Sequence, residues 1–102
     1  MARIKVANTA DLAPESAVQV TVNEEEVCLA RAADGEFYAM RDCCSHEQVL
    51  LSEGEVFDSQ IECFAHGARF DLRSGEALCL PATEGVKTYP VAVIDEEVFI
   101  ET

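Results

Sequence analysis

The chain has 102 residues, enough for one domain with its own core and too few for two. Hydrophobic residues make up 49% of it, with only five glycines and three prolines, which excludes a disordered, linker-like or fibrous chain. Twenty acidic against seven basic residues give a formal charge of −13, which repels nucleic-acid phosphates and anionic lipid surfaces alike.

The first segment, MARIKVANTADLAPE, has no apolar stretch of the kind that heads a secretory signal. No run elsewhere approaches the roughly 18 apolar residues of a membrane span, so a soluble, cytoplasmic protein is expected. Ala17 to Val22 and Glu26 to Ala32 then read as strands flanking the polar Asn23-Glu24-Glu25. Asp34-Gly35 turns the chain into Glu36 to Arg41, where Phe37 and Ala39 alternate with Tyr38 and Met40. Near the end, Tyr89-Pro90-Val91-Ala92-Val93 and Val98-Phe99-Ile100 surround Asp95-Glu96-Glu97 as a further hairpin. The period throughout is that of strands, so a meander of antiparallel strands is expected, with the middle of the chain inserted between strands of one β domain. The acidic triplets Glu24 to Glu26 and Asp95 to Glu97 fall at hairpin tips and read as solvated turns rather than cation sites.

The insertion holds the chemistry. Both histidines of the chain lie in it, each just after a cysteine, as Cys44-x-His46 and Cys63-x-x-His66. With five cysteines in the chain, both offsets arise by chance on the order of once in several hundred sequences of this size. Thiolate and imidazole together are ligands for zinc or iron. Two readings stay open at this level. A structural zinc ion would take all four side chains in one tetrahedron, whereas a two-iron cluster would divide them by type, sulfur on one iron and nitrogen on the other.

The spacing and its flanks decide between them. Cys44-x-His46, sixteen residues, then Cys63-x-x-His66-Gly67 resembles the motif of the Rieske [2Fe-2S] proteins. Leu51-Ser52-Glu53-Gly54, Ile61-Glu62-Cys63, Phe70-Asp71-Leu72-Arg73-Ser74-Gly75, Pro81 and Tyr89-Pro90-Val91 extend the resemblance to soluble Rieske ferredoxins over nearly the whole chain. It implies an all-β fold, a Rieske-type antiparallel β-sandwich base with a small inserted cluster-binding subdomain. The domain would be single, residues 1–102, with the cluster-binding part at about residues 42–72. It implies that Cys44 and Cys63 bind the buried iron of a Rieske-type [2Fe-2S] cluster, and that His46 and His66 bind the outer iron.

Two ferric ions and two sulfides carry about +2, which two thiolates cancel, so that with neutral histidines an added electron is less costly than at a four-cysteine site. The ligand set is closed, with no open position for a substrate, so the chain is expected to carry electrons and not to catalyse. The resemblance implies a low-potential ferredoxin taking electrons from an NAD(P)H-dependent flavin reductase and passing them to a terminal non-haem iron oxygenase. Docking through a basic face of the partner fits the charge, although acidity that serves only solubility stays open. Leu80-Pro81-Ala82-Thr83 also resembles a segment of ferredoxins associated with iron–sulfur assembly genes. A zinc-stabilised binding module is the alternative without redox work. A nitrite reductase small subunit is a third, disfavoured by the presence of all four candidate ligands.

Of the other cysteines, Cys28 and Cys79 lie in apolar surroundings and read as small core residues. Cys43, beside a ligand, is open between packing and substitute ligation, and alternation points it away from the metal. The resemblance also bears on potential. High-potential respiratory relatives have an extra cysteine in each loop, forming a disulfide, and serine and tyrosine hydroxyls bonded to cluster sulfur. No cysteine follows His46 until Cys63 here, Ala65 stands between Cys63 and His66, and Ala68 and Phe70 occupy the hydroxyl positions.

Overall fold

The computed structural model describes residues 3–42, 50–63, 67–78 and 85–101. Ten strands account for the regular structure among them, with two single 3-10 turns at Thr9–Asp11 and Leu51–Glu53. The expected hairpins form. Strand β1 is Arg3–Asn8, β2 Ser16–Val22 and β3 Glu25–Arg31, with Val22 opposite Glu25 across a two-residue turn. Asn23 and Glu24 both have positive φ, 49° and 68°. That hand matches the right-handed twist of the flanking strands, and it makes the turn one residue shorter than the polar triplet suggested. Glu25 therefore belongs to the strand.

Strand β4, Phe37–Arg41, pairs with β3, with Arg31 opposite Phe37. Arg31 secures this corner: its guanidinium donates to the carbonyls of Thr9 and Leu12 at 2.9 and 2.8 Å, and its Cζ lies 4.7 Å from the centre of the Phe37 ring. The central sheet is completed across the insertion by β8, Thr88–Tyr89, giving the order β2-β3-β4-β8.

Both faces of that sheet are covered. Val27, Leu29, Phe37 and Ala39 point to one core, with Leu12, Val22, Tyr89, Val98 and Ile100. Cys28, Ala30 and Met40 point to the other. This explains why β3 and β4 read as nearly continuous apolar runs rather than a clean alternation. The first core is closed by a three-stranded sheet, β1-β10-β9, in which β9 is Val91–Ile94 and β10 Glu97–Glu101. Strand β1, which its sequence did not announce, is placed by its backbone register against β10, with Lys5 Nζ 2.6 Å from Glu97 Oε2 at the surface.

The second core is closed by the insertion, whose strands β5 (Glu55–Phe57), β6 (Gln60–Glu62) and β7 (Arg69–Asp71) form a sheet of their own. Leu51, Val56, Ile61, Cys63, Ala68, Phe70 and Leu72 pack from it against the central sheet. The fold is thus all-β, with a sandwich base and a small inserted sheet, as the resemblance implied. One expected strand divides. Tyr89 pairs with Ala39 in the central sheet, while Val91 pairs with Ile100 in the outer one. Pro90 lies between them, without an N–H to continue the first ladder, and its carbonyl accepts from Glu101 N at 2.9 Å.

Candidate metal centre

Two stems of the insertion frame the predicted site. In the second, β6 ends at Glu62, and Cys63 follows as a fully buried side chain among Leu51, Ala68 and Phe70. Cys63 N donates to Ala68 O at 2.7 Å, and Gly67 N donates to Cys63 O at 2.9 Å, closing segment 63–68 at its base before β7 begins. Gly67 has φ +71°, a conformation glycine adopts without the Cβ penalty. Flanking the segment, Glu62 and Arg69 are opposite each other in the β6–β7 ladder.

In the first stem, β4 runs out at Arg41 and Asp42 follows. Its side chain is only 2% exposed, and its amide still donates to Glu26 O at 3.1 Å, extending the ladder to β3 by one residue. The chain is described again from Leu50. The turn Leu51–Glu53 there ends at Gly54, whose amide donates to Leu51 O. A Cβ on Gly54 would lie 1.8 Å from Glu62 O, so only glycine lets this stem approach the end of β6. Gly54 therefore brings the two stems together.

Of the four predicted ligands, Cys63 is described; Cys44, His46 and His66 lie outside the described residues. So do Cys43, Ala65, Cys79 and the Leu80–Thr83 segment. Among the described residues no three His, Cys, Asp or Glu side chains converge as a metal site. What Cys63 offers fits a ligand to a buried iron: a fully buried residue in an apolar cluster, on a backbone hydrogen-bonded to Ala68 and Gly67. Cys28 contrasts with it. Burial, assisted by the charge of Asp42, pushes its thiol pKa well up, so it stays a neutral core residue, as expected.

Two features escaped the sequence reading. Asp42 does not stand out in the strand pattern, although a charged residue directly after an apolar strand and directly before Cys43-Cys44 is a usable signal. Glu25 read as part of a solvated tip, yet its carboxylate accepts from Tyr89 Oη at 2.6 Å. That bond comes first among the causes that lower the Glu25 pKa.

No helix among the described residues is long and apolar enough to cross a membrane. The model of the Rieske [2Fe-2S] domain family matches residues 2–90. A 3-phenylpropionate/cinnamic acid dioxygenase ferredoxin subunit of Photorhabdus laumondii subsp. laumondii is 53% identical over 68 residues, 66% of this chain and 65% of that one, so the match spans less than two thirds of that relative's length. Among solved structures, the ferredoxin of carbazole 1,9a-dioxygenase from Nocardioides aromaticivorans IC177 superposes with a TM-score of 0.90 at 34% identity, covering 98% of this chain and 97% of that one. A complex of reduced oxygenase and oxidized ferredoxin in carbazole 1,9a-dioxygenase contains a chain similar at 30% identity and TM-score 0.90, covering 96% of this chain and all of that one. By the extent of the family match and by its fold, the chain belongs to the Rieske [2Fe-2S] domain family, whose cofactor is a Rieske-type [2Fe-2S] cluster.

Proposed function

We propose that this chain is a one-electron carrier of a multicomponent oxygenase system, with no catalysis of its own. The observation that carries the reading is the likeness to a ferredoxin across 98% of this chain and 97% of that one, joined to a buried cysteine at the predicted ligand position. In this reading the chain is one domain, residues 1–102, with its cluster-binding part at about 42–72. Cys44 and Cys63 hold the buried iron, and His46 and His66 the outer one. When bound, the cluster supplies a one-electron couple. The apolar residues around Cys63 exclude water from its sulfur, and the 63–68 backbone bonds hold the cysteine in place before metal arrives.

The donor is an NAD(P)H-dependent flavin reductase and the acceptor a terminal non-haem iron oxygenase, met in the cytoplasm through a basic docking face. Charge supports the last point, because −13 on 102 residues steers encounters towards positive surfaces. Iron and acid-labile sulfide analysis of purified protein tests the core of the proposal, with about two of each per chain expected. About one zinc and no labile sulfide would overturn it. Cys44→Ala and Cys63→Ala should lose the reddish-brown colour that Cys43→Ala keeps; the reverse pattern at 43 and 44 would move the ligand assignment by one residue.

A further inference from the structure

Asp42 is the one charged side chain that is buried among the described residues. A carboxylate taken out of water costs several kcal/mol unless hydrogen bonds or a counter-charge replace its hydration. No Lys or Arg among the described residues forms an ion pair with it. Among the described residues, three donors replace the water. Ser52 N reaches Oδ1 at 2.7 Å, Ser52 Oγ reaches Oδ2 at 2.7 Å, and Gln19 Nε2 reaches Oδ2 at 2.9 Å.

The arrangement of these donors is specific to one task. Ser52 contributes both its backbone and its side chain, tying position 52 to position 42 at two points. Gln19 belongs to β2 of the central sheet, so the tie is rooted in the sandwich base rather than in the insertion. Between the tied positions lies the segment carrying Cys44 and His46. Closing such a segment costs conformational entropy, which a preformed tie removes from the metal-binding step.

We infer that Asp42 is a positioning residue: with Ser52 and Gln19 it closes the first ligand segment at its base and so holds Cys44 and His46 for the metal. This rests on the reading of those two residues as ligands. The role is complementary to that of the backbone bonds of Cys63 and Gly67 at the base of the other ligand segment. Side chains that orient ligands typically change metal retention by about tenfold or more when removed.

The test uses the holoprotein. Release of iron to a ferrous chelator is followed for Asp42→Ala, Asp42→Asn and Ser52→Ala, with the exposed Ser74→Ala as control, alongside the cluster's electron paramagnetic resonance spectrum. Asp42→Ala should release iron about tenfold faster or more, with broadened g-values. Asp42→Asn, which keeps an acceptor for Ser52, should recover most of the retention. Release and spectrum unchanged in Asp42→Ala would overturn the inference. If that variant fails to fold, Ser52→Ala decides: it must release iron faster than Ser74→Ala, and equal rates would overturn it. Hydrogen exchange at the Ser52 amide reads the tie directly, and rapid exchange in the unaltered protein would also overturn it. Retention of the cluster by Cys44→Ala, with that amide still protected, would instead remove the ligand reading and leave the tie standing.

Discussion

At the scale of single residues, the neighbourhood of Cys63 sets the expected redox poise. Ala68 and Phe70 are both fully buried in the core that contains Cys63, and Ala68 O accepts the cysteine's amide. Neither side chain brings a donor to a sulfur. Hydrogen bonds to cluster sulfur stabilise the added electron, so the lack of a hydroxyl at these two positions should place the midpoint near the low end of the range of roughly −150 to +300 mV for Rieske centres. Voltammetry of the purified protein checks this, and a value well above zero would refute it. Ala68→Ser together with Phe70→Tyr should raise the midpoint. In apoprotein the same pair should destabilise the fold by about 1–3 kcal/mol for each hydroxyl left without a partner in that core.

Among elements, the bond from Tyr89 to Glu25 joins β8, which returns the chain from the insertion, to the start of β3 across the sheet. Burial first and the Glu25 carboxylate second push the Tyr89 phenol from its ordinary 10 up to about 12. Only the neutral phenol can donate, so its contribution to stability is complete below pH 10 and fades as the pH rises towards 12. The Glu25 carboxyl is shifted the other way, below its ordinary 4.5, so its share is present above that pH and fades as acid protonates it. Tyr89→Phe should therefore lower the melting temperature across neutral pH, and its deficit should shrink in strong base and in acid. A deficit independent of pH, measured by thermal melts between about pH 3 and 12, would show that ring packing and not the hydrogen bond matters there. Lys87 Nζ, 4.8 Å from the centre of the Tyr89 ring, adds to the same junction.

For the whole molecule, charge is the property with a functional consequence. The exposed ion pairs Arg3–Glu101 and Lys5–Glu97 contribute little to stability, and most of the twenty carboxylates have too few cations to pair with. The residual field should speed encounter with a positive partner and be screened over about 10 Å at 0.1 M salt. Stopped-flow electron transfer with the proposed reductase or oxygenase should accordingly slow as ionic strength rises. Rates that stay flat between low and physiological salt would leave the acidity a solubility device.

The sequence by itself determined most of the strand pattern of the base and the position of the insertion, and it supplied Cys44, His46, Cys63 and His66 as the proposed ligands. These are legible because period-two alternation, turn residues and metal-ligand spacing are properties of neighbouring positions. Tertiary structure alone decided that β1 joins β10, that Pro90 passes the chain from one sheet to another, and that β3 and β4 are buried on both faces. It also turned Asp42 from a polar residue at a strand end into a buried tie between Gln19 and Ser52. Each of these depends on groups far apart in the chain, whose meeting is set by the packing of three sheets and leaves no local period for a sequence to display.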